Sequence, residues 1–424
     1  MRPSTFLIGA VPILALALAL ASDALAHLVP PWIDPGDIPI PSGAHSLLAI
    51  HDEVPILESP IATASRRGVL AADIPMPVFA FKRGPGCAGR WISVGPLAWV
   101  CQDKVTLSQS PPVAASFSVY ENVPDGLPYR YFFVGRNGSW GYSHLRSVDV
   151  STPDQSFEPG FAVAVVQQRE HQGDVYGRTT RGLWVPMRDL NPVRPTAFRG
   201  EVIQDGSMDI AWVHTAQARA LSKPAPHAAK QQTLVRFQLL HVLEEKVVTG
   251  RAYYRIGDDT WVSDRDARKP SKADPPEEVR PGERWIDIHL DSQTLVAYEG
   301  DRPMYATLVS TGRGPQNTPF ATPRGVHRIW VKLLASSMGN LEDEEASDLY
   351  LIEDVPFVQF FHRGVGLHAA FWHDKFGHVR SHGCVNLAPF DAQWMFAFTS
   401  PRLPAGWRAI LPSDFALGTV IRVR

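Results

Sequence analysis

The chain lacks several features that would mark a nucleic-acid or membrane protein. Its 41 lysines and arginines are offset by 43 aspartates and glutamates, so there is no basic excess to bind a phosphate backbone. Beyond residue 21, no stretch is long and apolar enough to cross a membrane. There is also no His-Glu-x-x-His sequence of the kind that binds catalytic zinc. We therefore expect no nucleic-acid partner, no stable membrane insertion and no cofactor.

Cysteine is scarce, with three residues in the chain. Cys87 and Cys101 lie close together in a turn-rich, β-like segment, whereas Cys384 is far from both. A Cys87–Cys101 disulfide would contribute about 3 kcal/mol in an oxidising compartment, and the alternative is two buried free thiols. An unpaired cysteine in an exported protein calls for a functional reason, which points to Cys384.

Export itself is predicted by residues 1–26. Arg2 precedes an apolar run over 6–21, and the segment ends in Ala-Leu-Ala. A basic start, a short apolar stretch and small residues at the end are typical of a secretory signal peptide, here cut after Ala26. The alternative is an uncleaved anchor, for which the apolar run is short.

Proline and glycine are abundant, with 37 and 32 residues, and together with 45% hydrophobic residues they indicate a globular, mostly β fold. Residues 27–64 are proline-rich and predict an irregular lead-in. A Trp-Val pair recurs at Trp99, Trp184 and Trp261, each after short alternating segments. We expect these tryptophans to pack in a core, and contact with a ligand is the alternative.

Short strands, tight turns and a recurring tryptophan resemble bacterial SH3-like β-barrels. The resemblance implies one such module over 65–150 and one or two more over 151–268. Prolines and charges over 269–282 predict a linker to a C-terminal domain over 283–424. That domain is expected to contain a hairpin over 285–298, strands over 306–312 and 325–331, and a short helix from Pro389, with Trp394, Met395 and Phe398 in the core.

The chemistry is concentrated in residues 381–386, Ser-His-Gly-Cys-Val-Asn. A thiol is a weak nucleophile until it loses its proton, and a neighbouring imidazole is the commonest base. His368, in Gly-Leu-His-Ala-Ala, is the base that we favour for Cys384. His373 and His378 also lie in the spacer over 369–380, but among charged residues.

These motifs resemble those of the L,D-transpeptidases, the YkuD-type family that builds bacterial peptidoglycan. The hairpin, a Val-Ser-Thr-Gly segment, a Thr-Pro-Arg-Gly segment and the Ser-His-Gly-Cys motif occur in the same order, although the spacer is shorter than usual. The resemblance implies a β-sandwich-like catalytic domain with a short helix after the cysteine motif. It also implies roles for individual residues: Cys384 as nucleophile, His368 as base, Ala369 orienting the base through its carbonyl, Ser381, His382 and Gly383 supporting the site and the oxyanion, and Asn386 and Arg380 contacting substrate.

The resemblance further implies the reaction. Cys384 would attack the bond before the terminal D-alanine of a peptidoglycan stem tetrapeptide, and an amine of another stem or of a protein to be anchored would resolve the thioester. An L,D-carboxypeptidase and an inactive wall-binding protein are the alternatives. The expected location is the periplasm or the cell wall.

Two further interpretations of the C-terminal region stay open. A zinc site is one, because six potential ligands crowd together, although their spacing matches no familiar zinc signature; they are His362, His368, His373, His378, His382 and Cys384. A purely structural histidine cluster with a buried cysteine is the other. The acidic run over 342–348 is expected to be a solvated loop, with a lid over the substrate as the alternative.

Overall fold

The computed structural model describes residues 36, 38–51, 53–72, 74–113, 124–150, 152–340 and 350–424. The predicted signal peptide and the acidic run over 342–348 lie outside these residues. Backbone contacts divide the chain into two compact units, Met1–Val113 and Ala114–Arg424.

The first unit is built from short antiparallel strands. They are β1 (Ser46–Ala49), β2 (Pro55–Leu57), β3 (Arg66–Leu70), β4 (Met76–Pro77), β5 (Ala80–Lys82), β6 (Trp91–Gly95), β7 (Ala98–Cys101) and β8 (Val105–Ser108), with a 3-10 helix at Gln102–Lys104. One sheet has the order β3-β2-β7-β6-β5 and a smaller one the order β4-β1-β8. The predicted lead-in over 27–64 thus contains β1 and β2. Cys87 and Cys101 form the predicted disulfide, and Cys384 is a free thiol.

The second unit contains the remaining strands and the one α-helix found among the described residues. The strands before residue 270 are β9 (Arg130–Val134), β10 (Ser139–Gly141), β11 (Gln155–Phe157), β12 (Ala162–His171), β13 (Asp174–Thr179), β14 (Trp184–Pro186), β15 (Leu190–Pro192), β16 (Glu201–Val202), β17 (Ile210–Val213), β18 (Arg219–Leu221), β19 (Lys230–Thr233), β20 (Leu239–His241), β21 (Glu244–Val248), β22 (Arg251–Gly257), β23 (Thr260–Ser263) and β24 (Ala267–Arg268). Short 3-10 helices lie at Pro124–Gly126, Leu145–Asp149 and Met187–Asp189.

After residue 270 follow β25 (Arg284–His289), β26 (Thr294–Glu299), β27 (Arg302–Leu308), β28 (Gly325–Arg328), β29 (Val331–Gly339), β30 (Leu351–His362), β31 (Val365–Ala369), β32 (Val385–Leu387), α1 (Pro389–Phe398), β33 (Trp407–Ile410) and β34 (Val420–Val423). The hairpin, the strands and the helix predicted for this region are therefore confirmed. Pro389 starts the helix because proline fits its first turn, which needs no amide donor. The prediction of a mostly β fold is confirmed as well.

Two sheets position the C-terminal part of the chain. Strands β16-β27-β26-β25-β34-β28 form one, and β14-β13-β12-β30-β29-β33 run through the other, in which β31 pairs with β30 and β32 with β31. The parallel contact of β12 with β30 joins strands from residues 130–192 to the C-terminal strands. Residues 210–268 form two small sheets, β20-β17-β24 and β19-β18-β23-β22-β21.

The three repeated tryptophans have the same local setting. Each lies in the second strand of an antiparallel pair, namely β6–β7, β13–β14 and β22–β23, with Trp99, Trp184 and Trp261 all buried. The expectation that they pack in a core is confirmed. Whether these segments are SH3-like modules stays a prediction. No helix in the described part of the chain has the length and apolar character that a membrane span requires.

Candidate active site

Two neighbouring parallel strands bring the predicted catalytic residues together. In the pairing of β31 with β32, His368 lies opposite Asn386, and Cys384 is the residue that directly precedes β32. Cys384, at the bend before β32, therefore lies two residues along the chain from Asn386, the residue that pairs with His368.

His368 is held in one tautomer. Its Nδ1 lies 3.0 Å from the carbonyl oxygen of Ala369, which can only accept, so Nδ1 carries the proton and donates it. Nε2 is then left with a lone pair. Burial lowers the pKa of His368 to about 4, an effect that the carbonyl of Ala369 partly opposes. At neutral pH the ring is uncharged and Nε2 has a lone pair, while the catalytic roles of His368 and Ala369 stay predictions.

Cys384 is half-buried, and its Sγ lies 3.7 Å from the carbonyl oxygen of Gly364 at the turn between β30 and β31. Burial raises the pKa of the thiol, and the backbone of Gly366 lowers it by less. The thiol of Cys384 and the imidazole of His368 are therefore both neutral at neutral pH. Such a pair can react by transfer of the thiol proton to the base as the sulfur attacks.

The turn before Cys384 is fixed by a short hydrogen-bonded network. Ser381 Oγ donates to the carbonyl of Cys384 and accepts from the N–H of Gly383 at 3.1 Å. Thr322 Oγ1 donates to the carbonyl of Gly383 at 2.6 Å. Gly383 has φ +125°, and a Cβ there would lie 3.2 Å from the carbonyl oxygen of Ala321, so this position needs glycine. The hydrogen bond from the Gly383 N–H to Ser381 Oγ would have to break before this N–H could donate to an oxyanion.

His382 is exposed and interacts with residues that the sequence interpretation missed. Arg313 Nη2 donates to His382 Nε2 at 2.8 Å, the ring of Phe320 meets His382 edge-on at 5.1 Å, and that of Tyr350 stacks at 6.0 Å. Burial and the nearby Cys384 raise the pKa of Tyr350. The arginine directly after Ser-Thr-Gly was the signal in the sequence, but nothing local links it to a motif almost seventy residues away.

The other histidines of the spacer have different partners. His373 Nε2 lies 2.8 Å from the side-chain nitrogen of Asn386, and His378 Nε2 lies 3.0 Å from Nδ1 of His214. Asn386 is buried and its amide nitrogen is taken up by His373, so its predicted contact with substrate stays a prediction. The side chain of Arg380 is exposed, and its backbone N–H donates to Thr311 at 2.9 Å.

Residues 283–422 match the family model described as the L,D-transpeptidase catalytic domain, YkuD. The recognition of that domain in this part of the chain is confirmed. No curated protein matches the chain.

Solved structures similar to this chain include three L,D-transpeptidases. That of Xylanimonas cellulosilytica is 18% identical over 35% of this chain and 63% of its own, with a TM-score of 0.24. A mutant of the Enterococcus faecium enzyme is 19% identical over 34% and 50%, with a TM-score of 0.26. The Mycobacterium smegmatis protein is 18% identical over 62% and 99%, also with a TM-score of 0.26. The chain thus spans between half and two-thirds of the first two structures.

Proposed function

We propose that the L,D-transpeptidase domain over 283–422 acts on peptidoglycan stem tetrapeptides through a thioester on Cys384. The acyl group is passed to an amine of a second stem or of a protein to be anchored. The observation that carries this proposal is the pairing of β31 with β32. It supports the proposal because His368, whose Nε2 carries no proton, pairs with Asn386, which is two residues after Cys384.

In the first half-reaction, the proton of Cys384 moves to His368 Nε2 while Sγ attacks the carbonyl before the terminal D-alanine. The tetrahedral intermediate collapses, the carbon–nitrogen bond breaks, and the departing amine takes the proton from His368. The carbonyl of Ala369 keeps the imidazole oriented and stabilises its transient positive charge. D-Alanine leaves, and the stem is bound to Cys384 as a thioester.

In the second half-reaction, an acceptor amine attacks the thioester and gives its proton to His368. The carbon–sulfur bond breaks and the thiolate recovers its proton from the imidazole, which regenerates the resting pair. Water as acceptor would instead release a shortened stem, which is the carboxypeptidase alternative.

The test is product analysis by mass after the full chain is incubated with tetrapeptide muropeptides. We expect a cross-linked dimer from the native protein and none from Cys384→Ala. A monomer that has only lost D-alanine would identify a carboxypeptidase. Muropeptides unchanged by native protein that is folded would contradict the enzyme proposal and favour a wall-binding role.

Location and targeting belong to the same proposal. Residues 1–26 direct export, so the enzyme acts in the periplasm or at the cell wall, and a β module over 65–150 assists in binding the wall. The test compares co-sedimentation with purified sacculi of the full chain and of a chain that lacks residues 65–150, for which we expect weaker binding. Equal binding of the two chains would remove the targeting role and leave the enzyme proposal intact.

A further inference from the structure

Arg313 lies beside the cysteine motif although it is far from it in sequence. Gly312 forms a parallel backbone bridge with Ser381, and the N–H of Arg313 donates to the carbonyl of Ser381 at 3.0 Å. Ser381 in turn is bonded to the carbonyl of Cys384. The backbone position of Arg313 is therefore fixed relative to the nucleophile.

The guanidinium of Arg313 is also fixed. One nitrogen donates to His382 Nε2 at 2.8 Å, and the charged carbon lies 5.3 Å from the ring centre of Phe320, within the range of a cation–π contact. Burial and the charge of Arg313 both lower the pKa of His382, which keeps that imidazole neutral and able to accept. The side chain is thus preorganised by two neutral partners.

The charge of this guanidinium is not neutralised within the described part of the chain. Among those residues, no carboxylate oxygen comes within 4.0 Å of it, whereas several other exposed arginines have such a partner. Arg313 is exposed to solvent and donates one hydrogen bond to a side chain, which leaves most of its five N–H donors free. A planar fork of free donors is the arrangement that binds a carboxylate in two-point fashion.

We infer that Arg313 is a specificity residue that binds a carboxylate of the donor peptide at the mouth of the Cys384 site. The inference rests on the proposed function, which supplies a substrate with a terminal D-alanine carboxylate next to the bond that breaks. The same chemistry is offered by a carboxylate on the side chain of the third stem residue. His382 and Phe320 hold the guanidinium and do not themselves contact the reacting atoms.

The test compares acylation of Cys384 by three tetrapeptides, monitored by intact mass in single-turnover experiments. One has both carboxylates free, one carries an amide at the terminal residue, and one carries an amide at the third residue. For the full native chain we expect the amide at one of these positions to lower kcat/KM about tenfold or more, a size that corresponds to about 1.4 kcal/mol. The position that matters identifies the carboxylate.

Arg313→Gln should lower kcat/KM for the peptide with both carboxylates free to the value for the amidated peptide, mainly by raising KM. Arg313→Lys should restore part of the preference for the free carboxylate. Arg302→Gln, at an exposed site on β27, is the matched control and should leave the preference unchanged. Unchanged thermal unfolding of Arg313→Gln would exclude a merely structural effect.

Equal rates of the native chain on all three peptides, or a preference that survives Arg313→Gln, would overturn this inference alone. Absence of any acylation would instead count against the proposed function.

Discussion

The protonation of the Cys384–His368 pair distinguishes this site from one that holds a preformed ion pair. Burial raises the pKa of the thiol and lowers that of the imidazole to about 4, so both shifts favour the neutral forms. A thiolate–imidazolium pair would require both shifts in the opposite direction. In the proposed mechanism, the thiolate would therefore form during attack and would not be present beforehand.

This leads to a prediction for alkylation of Cys384. The rate with iodoacetamide should rise with pH through a midpoint above the ordinary thiol pKa, with no plateau at acidic pH, because little thiolate exists below it. The measurement is the rate of mass increase of the full chain between pH 5 and 10. A plateau of high reactivity between pH 5 and 7 would show a preformed ion pair and contradict the neutral one.

The preference for His368 over the histidines of the spacer gives a second prediction. His368→Gln should lower acyl transfer by about 10²–10⁴-fold, the usual contribution of a general base. His378→Gln is the matched control and should lower the rate much less, because the ring of His378 is taken up by His214. Single-turnover rates on tetrapeptide decide the point. A larger loss for His378→Gln than for His368→Gln would reverse the assignment.

At the scale of elements, the contact between β12 and β30 contains a charge that burial makes costly. Glu353, on β30, is fully buried and accepts a hydrogen bond from the N–H of Ala164 at 3.3 Å, while Arg181 lies 4.0 Å away and Asp354 is the adjacent acid. Burial raises the pKa of Glu353 to about 7. The folded state therefore favours the protonated carboxyl.

The raised pKa of Glu353 makes the stability of the folded chain depend on pH. Below the unfolded pKa near 4.5, Glu353 is protonated in both states and does not lower the free energy of unfolding. As pH rises from there to about 7, the free energy of unfolding falls by up to about 3 kcal/mol, because ionisation is easier in the unfolded chain. Glu353→Gln should therefore make the chain more stable at pH 8 and flatten this part of the profile. Chemical denaturation at pH 4.5 and 8 measures it, with Glu158→Gln as an exposed control. Equal destabilisation at both pH values would contradict the assignment.

Elements with local signals could be predicted from the sequence, and those that depend on distant pairing could not. The β25–β26 hairpin shows alternation and a turn, and α1 begins at a proline before an apolar run, so both were correctly placed. The parallel pairing of β12 with β30 joins residues almost two hundred positions apart, and no local pattern encodes it. The contact of Arg313 with His382 was missed for the same reason, whereas His368 and Cys384 were predicted because their residue types suit nucleophilic catalysis.

At the scale of the whole molecule, the residues before the catalytic domain are part of its core. One buried cluster joins Phe198 and Trp212 to Trp285 and Phe376, and another joins strands β9 and β12 to β30 and the spacer. His214 and Arg236 also contact the spacer, at His378 and Asp374. Residues 124–268 thus support the segment that links His368 to Cys384.

Truncation tests this architecture. A chain of residues 124–424 should fold and acylate Cys384, because it keeps both clusters intact. A chain of residues 283–424 should be insoluble or unfold at a much lower temperature, because large apolar side chains such as Trp285 would lose their partners. Thermal unfolding and the acylation rate of the two chains are compared. Equal stability of the shorter chain would show that the preceding strands do not support the catalytic domain.

The acyl-enzyme is the most direct test of the central claim. Full chain mixed with a stem tetrapeptide is quenched in acid within the first turnover, and the adduct is located by mass on the proteolytic peptide that contains Cys384. The account predicts an added stem tripeptide on Cys384 in the native chain, slow formation of the same adduct in His368→Gln, and none in Cys384→Ala. Product formed without an adduct on Cys384, or at an equal rate by Cys384→Ala, would contradict it.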